Sequence, residues 1–267
     1  PNEVRQIINS DAEVVNKLGS NAMGNYLYVY KGVYATDEDV PVNPLTGERL
    51  RMGGNTSTQA YFKAGDPIWV DVNGDYIIDE KDKVIVGNSQ PRMTGGISIN
   101  LRYKAFSINT NCSFTLRRDI INKALADRFR AYGTPVAGKV NLTGSGALTP
   151  IEAYNFWTED NIYAQYPNPF DYTRSSIIQP FRYDQTLFME DGSYFKINGI
   201  SVAYTIPKKM LDFFRISRCQ LNFSMNNIYT FSKYSGINPE NVNNLGYDTS
   251  GGYPNGRTVT FGVSMDF

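Results

Sequence analysis

Arg257-Thr-Val-Thr-Phe-Gly-Val-Ser-Met-Asp-Phe267 is the stretch whose reading decides the fold. Val259, Phe261, Val263, Met265 and Phe267 alternate with Thr258, Thr260, Gly262, Ser264 and Asp266. A period of two puts the first set on one face of a strand and the second on the other. A strand in a soluble sandwich shows such alternation. A strand between lipid and a wet lumen requires it, and the length suits the roughly 9–11 tilted residues that span a bilayer as a β-strand.

Moving outward, the same period returns. Ile97, Ile99, Leu101 and Tyr103 alternate with Ser98, Asn100 and Arg102. Beyond Lys104-Ala105 it resumes at Phe106, Ile108, Thr110, Cys112, Phe114 and Leu116, which predicts a hairpin with a very short turn. Cys219, Leu221, Phe223 and Met225 alternate with Gln220, Asn222, Ser224 and Asn226. From Ser193 to Thr205 the apolar face shifts once, at Asn198-Gly199, which predicts a β-bulge. Tyr26, Tyr28 and Tyr30, and the stretch from Tyr61 to Val70, suggest further strands, about eight in all.

The connections are unequal. Lys104-Ala105 and the stretch from Pro207 to Ser217 are short; Leu116 to Asp191 and Phe231 to Gly256 are long. If the last strand runs from outside to the periplasm, both long connections fall outside and both short ones inside. That is the habit of outer-membrane barrels. Tyr103, Tyr204 and Phe267 then sit at the periplasmic rim, and Tyr229 and Phe231 at the outer one, as aromatic girdles do.

Composition narrows the classes. The chain has 267 residues, 26 Lys plus Arg against 26 Asp plus Glu, and no His. This is no basic footprint for nucleic acid. No run approaches the ~18–20 apolar residues of a membrane helix, so a membrane role here means a closed β-barrel. Without His, the usual zinc spacings and a His-based triad are excluded. Cys112 and Cys219 read as small apolar side chains, and two positions alone do not specify a disulfide. The sequence starts at Pro1 with no charged-then-apolar leader, so a processed, truncated or partial chain is expected.

Asp71-Val-Asn-Gly-Asp-Tyr-Ile-Ile-Asp-Glu-Lys-Asp82 places Asp71, Asn73, Asp75, Asp79 and Asp82 at positions one, three, five, nine and twelve of a calcium-type loop, with the Ile77 carbonyl at seven. Tyr76 stands where such loops hold glycine, and Asp82 is shorter than the usual terminal Glu. Two readings stay open: a Ca²⁺ site, or an Asp/Asn-rich turn held by side-chain-to-backbone bonds. Both are architectural.

Several longer stretches occur in a recognisable order. Gly65-Asp-Pro-Ile-Trp-Val-Asp-Val-Asn-Gly-Asp-Tyr-Ile-Ile-Asp79 leads to Val86-Gly-Asn-Ser-Gln-Pro-Arg-Met-Thr-Gly-Gly96. Phe156-Trp-Thr-Glu-Asp-Asn161 precedes Tyr166-Pro167, and then comes Glu190-Asp-Gly-Ser-Tyr-Phe-Lys-Ile-Asn-Gly-Ile-Ser-Val-Ala-Tyr-Thr-Ile-Pro207. Asn226-Asn-Ile-Tyr-Thr-Phe-Ser-Lys-Tyr-Ser-Gly-Ile-Asn-Pro-Glu240 leads to Tyr253-Pro254 and the last strand. In this order, over residues 24 to 267, they resemble the SusC/RagA-type TonB-linked outer-membrane proteins of the Bacteroidetes. The resemblance implies the C-terminal strands of an all-β, antiparallel transmembrane β-barrel, of the large, about 22-stranded plugged kind.

It also implies energy-dependent import of oligosaccharides or peptides, with a SusD-like surface lipoprotein as lid and TonB engaged by a segment not recognisable here. The remaining barrel and plug would be partners, since unpaired strand edges in lipid are very costly. Phe261, Val263, Met265 and Phe267 would then form a C-terminal barrel-assembly signal.

Two other classes compete. One is a barrel wall in a larger secretion or surface assembly. The other is a soluble, calcium-stabilised glycan-binding β-domain. No enzyme is expected, because Glu159, Asp160, Glu190 and Asp191 read as solvated loop charges. Trp157 and the tyrosines Tyr154, Tyr163, Tyr166, Tyr172 and Tyr183 lie in the long outer connection, where they either stack on a ligand or pack the loop on itself; Trp157, Tyr163 and Tyr166 are the ligand candidates.

Overall fold

A computed structural model describes residues 24–53, 60–132, 135–136, 139–140, 153–174, 176–211, 216–248 and 255–267. The chain divides into two compact units. One draws on 1–90, 120–190 and 242–251, the other on 91–119, 191–241 and 252–267. Tyr253-Pro254 of the quoted motifs and residues 212–215 of the second short connection lie outside the described residues.

The second unit is a five-stranded antiparallel sheet. Its strands are β1 (Met93–Tyr103), β2 (Phe106–Leu116), β3 (Tyr194–Thr205), β4 (Arg218–Ser232) and β5 (Thr258–Asp266), and neighbours in sequence are neighbours in space. The register builds two kinds of rung. Leu101, Ile108, Val202, Phe223 and Phe261 line up across all five strands. So do Ile99, Thr110, Ile200, Met225 and Val259. The rung between them is Asn100, Asn109, Ser201, Ser224 and Thr260, wholly polar. Side chains alternate across a pleat, so one face is apolar and the other carries amides and hydroxyls.

Local chemistry sets the turns. β1 and β2 join through Lys104-Ala105, with Lys104 at φ 53° and Tyr103 paired to Phe106. The predicted bulge is present. Between Ile197 and Gly199 the register slips against β2, leaving Asn198 as the extra residue, and Asn198 Nδ2 donates to Ser113 Oγ at 3.0 Å. Against β4 the extra residue lies on the other strand, where Asn227 takes φ 54°. Space at Gly199 is tight: a Cβ there would stand 2.9 Å from Asn226 Oδ1 and 3.3 Å from the Met225 carbonyl, so a larger residue would have to displace the Asn226 side chain.

Among the described residues five long strands are present, against the eight strands expected. Asn25–Tyr28 pairs with Lys83–Val86, and Tyr30–Val33 with Pro67–Trp69, as short strands of the other unit. Leu27 and Tyr28 are adjacent and both buried, so this segment is enclosed on both faces and has no lipid-facing side.

That other unit has two aromatic cores. In one, Tyr28 stacks on Trp69 at 5.0 Å between ring centroids, with Tyr34, Phe62, Ile78 and Ile178 packed around them. The other centres on the helix Lys123–Tyr132, absent from the sequence expectation. Asn122 caps it by accepting the Leu125 N–H at 3.0 Å, and Leu125, Ala126 and Phe129 form its buried stripe. Phe129 is fully buried, with the rings of Tyr154, Phe156, Tyr166, Phe181 and Phe188 between 4.8 and 6.0 Å away. Phe129→Ala is expected to destabilise this unit by about 3–5 kcal/mol, read as earlier proteolysis of 120–190 in the purified protein.

Candidate functional site

The sheet offers two surfaces to different media. Along the terminal strand Phe261 is 79% exposed and Phe267 87% exposed, with Val263 and Met265 also outward. Tyr103, Phe106, Tyr204 and Leu221 form the last apolar rung at the short-turn end, with Phe106 and Tyr204 ring centroids 4.6 Å apart. At the opposite end Tyr229 and Phe231 stand 4.6 Å apart, and Phe195 meets Phe231 at 6.3 Å. The aromatic rings thus band both ends of the apolar face. No helix among the described residues is long and apolar enough to cross a membrane. The strands carry the apolar surface.

The aromatic ligand candidates separate. Trp157 Nε1 donates to the Ala35 carbonyl at 3.2 Å, and its ring closes over Gly65, where a Cβ would meet Trp157 Cε3 at 2.8 Å. Gly65 also has φ +83°, so both the space and the backbone demand glycine. Tyr166 packs against Phe129 at 5.0 Å, Tyr154 packs in the same cluster, and Tyr183 meets Tyr247 edge-on at 5.8 Å. These residues hold the unit together. Tyr163, 84% exposed, is the candidate left facing outward, and the Tyr172 side chain lies outside the described residues.

In the 71–82 loop the oxygens are turned to the chain's own N–H groups. Asp71 accepts from Gly74 and Tyr76, Asn73 from Asp75, and Asp75 from Ile77, all between 2.7 and 3.0 Å. Asp79 accepts from Lys81. Asp82 is fully buried and accepts from Val72 at 2.9 Å and Asp79 at 2.8 Å. Burial pushes its carboxyl up, against the pull of those two N–H groups. Tyr76 adopts φ 61°, the left-handed conformation for which such loops keep glycine.

Among the described residues no three Asp, Glu, His or Cys side chains converge on a point a metal ion could occupy. The bonds accepted by Asp71, Asn73, Asp75 and Asp79 are those of an Asp/Asn-rich turn, and the same oxygens are the ones a Ca²⁺ ion would take. Asp82→Asn turns an amide N–H₂ toward a buried donor and is expected to cost about 1–3 kcal/mol, measured by thermal unfolding. In the same experiment a midpoint lowered by EDTA reports a bound Ca²⁺, and an unchanged midpoint reports the metal-free turn.

Sequence reading missed a charged clamp beside the Tyr28–Trp69 stack. Arg182 lies 4.7 Å from the Tyr28 ring centroid and pairs with Asp184, Nη2 to Oδ2 at 2.7 Å. Lys83 reaches the same carboxylate at 2.8 Å. Fully buried Gln185 accepts from Trp69 Nε1 at 2.8 Å and donates to the Pro180 and Arg182 carbonyls. Asp66 and Arg174 make a second buried pair, Nε to Oδ1 at 3.1 Å. These partners lie more than a hundred residues apart, or within a turn of no recognisable motif, so no local pattern announces them.

Burial opposes charging of Asp184, but Arg182 and Lys83 outweigh it and hold its carboxyl below the usual carboxylate value. The stabilisation is complete above the unfolded value, about 3.9, and is lost as pH falls through the lower folded one. Asp184→Asn is therefore expected to cost about 1–3 kcal/mol at pH 7. The deficit should shrink below about pH 4 as the wild-type carboxyl protonates, which paired urea titrations at the two pH values would measure.

A sheet with one exposed apolar face, one polar face and aromatic bands at both ends defines a segment of a membrane-type β-barrel wall. No protein-family model matches the chain. TonB-dependent receptor P3 of Formosa agariphila is 28% identical over 257 residues, 91% of this chain and 22% of that protein. TonB-dependent receptor SusC of Bacteroides thetaiotaomicron is 23% identical over 270 residues, 94% of this chain and 24% of that protein. Among solved structures, the RagAB peptide transporter matches over 98% of this chain and 24% of that chain, with TM-score 0.63 and 19% identity. The chain spans about a quarter of the length of the proteins it matches. Sequence and fold agree on a SusC/RagA-type TonB-dependent receptor likeness, as the ordered motifs implied.

Proposed function

We propose that this chain forms wall strands and connecting segments of a TonB-dependent importer of the SusC type in the cell outer membrane. The cargo is an oligosaccharide or a peptide. The remaining barrel and plug complete the pore, a SusD-like surface lipoprotein closes over it, and TonB supplies the energy coupling. The observation that carries this reading is the rung pattern. Five strands in one register hold exposed apolar side chains on one side and amides and hydroxyls on the other. In water a contiguous apolar face of this kind is a liability that soluble proteins seldom leave open. Against lipid it is what the solvent requires. The relatives' names, TonB-dependent receptors and a peptide transporter, point the same way.

Ile99 and Asn100 are neighbours on opposite faces near the middle of β1. Ile99→Arg is expected to cost about 2–4 kcal/mol in the membrane, whereas Asn100→Arg is expected to be close to neutral. The readout is the folded, heat-modifiable fraction of the receptor in outer-membrane preparations. Equal tolerance at both positions would overturn the barrel-wall assignment. A barrel that inserts normally, but neither retains a lipoprotein lid nor takes up labelled oligomers, would favour the non-transporting wall instead.

A further inference from the structure

Lys196 is out of keeping with its surroundings. It stands on β3 in the polar rung Gly96, Ser113, Lys196 and Thr230, toward the end of the sheet that carries the long connections. The central polar rungs hold uncharged side chains. Lys196 is only 8% exposed, and its ammonium meets Glu240 Oε2 at 2.5 Å. Glu240 arrives from the segment after β4, where the Asn238 side chain accepts the Glu240 N–H at 3.0 Å. Arg118 fastens the same segment by donating from Nη2 to the Pro239 carbonyl at 3.3 Å, and its buried Nε has no hydrogen-bond partner.

Beside this strap lies a cavity of about 230 Å³, lined in part by Lys196, Thr230, Asn238, Glu240, Asn255 and Arg257. Asn227 Nδ2 donates to the Gly256 carbonyl at 3.1 Å and so fixes the backbone next to Arg257. Arg257 has no carboxylate partner among the described residues, and its side chain is exposed. The cavity therefore holds two cations against one carboxylate.

We propose that this cavity binds the carboxylate of a cargo molecule, through the Arg257 guanidinium with Lys196 beside it. The proposal rests on the import reading above. Glu240 shows that the pocket already accommodates a carboxylate against Lys196, and the unmatched positive charge leaves room for a second. A guanidinium fork fits the two coplanar oxygens of a carboxylate better than a single ammonium does. A half-enclosed wall strengthens the pair relative to open water. The volume suits one acid-bearing residue or sugar unit, so the pocket reads a single charged group on a longer cargo. An acidic side chain or free chain end of a peptide supplies that chemistry, and so does a uronic acid.

The test uses the whole receptor in detergent and isothermal titration with matched probes. Triglutamate is compared with C-amidated triglutamine, and trigalacturonate with galactotriose. In the wild type one carboxylate probe is expected to bind at least about tenfold more tightly than its neutral counterpart, the scale of one charge-assisted hydrogen bond. Which pair shows the margin identifies the source of the carboxylate. Arg257→Gln is expected to erase the margin. Glu240→Gln, which removes the competing internal carboxylate, is expected to widen it. No margin for either pair, or a margin that survives Arg257→Gln, overturns the proposal. Uptake of neutral oligomers without any margin would sink the pocket and leave the import reading standing.

Discussion

Everything in the sheet depends on lateral register. Each strand satisfies its backbone N–H and C=O groups with the next, and the pairing simultaneously decides which side chains share a face. A slip of one residue would move Ile99, Ile200 and Val259 to the polar side and bring Asn100, Ser201 and Thr260 to the apolar one. In a soluble sandwich such a slip costs packing. Between lipid and a wet interior it costs the solvation of two whole faces at once. The register is accordingly pinned where it is vulnerable. Lys104 in a left-handed conformation closes one hairpin, and Asn198 and Gly199 absorb the one extra residue without inverting the strand beyond them.

The compact unit obeys a different logic. It has little regular structure and relies on aromatic packing around Phe129 and Trp69, with charged groups buried in pairs. Arg182 shows how the two combine: its guanidinium covers the Tyr28 and Trp69 rings while both ends of the Asp184 carboxylate are occupied. A buried ion pair of this kind contributes little net stability, but removing one partner strands a charge. Such a cluster therefore specifies one arrangement of its loops.

The wall was legible in the sequence because alternation is a local signal. Period two at 97–103, 106–116, 219–225 and 259–267 needs no knowledge of the rest of the chain, and the slipped phase at Asn198-Gly199 announced its bulge. The compact unit was not legible for the opposite reason. Tyr26, Tyr28 and Tyr30 alternate as a membrane strand would, but Leu27 is buried as deeply as Tyr28, which only distant partners decide. The helix at 123–132 left one faint trace, a capping Asn122 before Leu125, Ala126 and Phe129, inside a stretch whose Pro and Gly content reads as loop. The hydrogen bond from Trp157 to the Ala35 carbonyl and the packing of Tyr166 on Phe129 were not legible either, because both partners are distant in sequence. The acidic loop was legible as a turn; the direction of its oxygens was not.

The unit built from 24–90, 120–190 and 242–248 is closed by Tyr247 and by the Ile121–Tyr247 bridge, while β1 to β4 intervene in the chain between its pieces. The two units are thus interleaved along the sequence. The compact unit cannot finish folding until four wall strands have been made, and it cannot be excised or exchanged as a cassette with one cut at each end. Any transfer of its surface to another protein would have to carry three separate inserts, matched to the same wall strands.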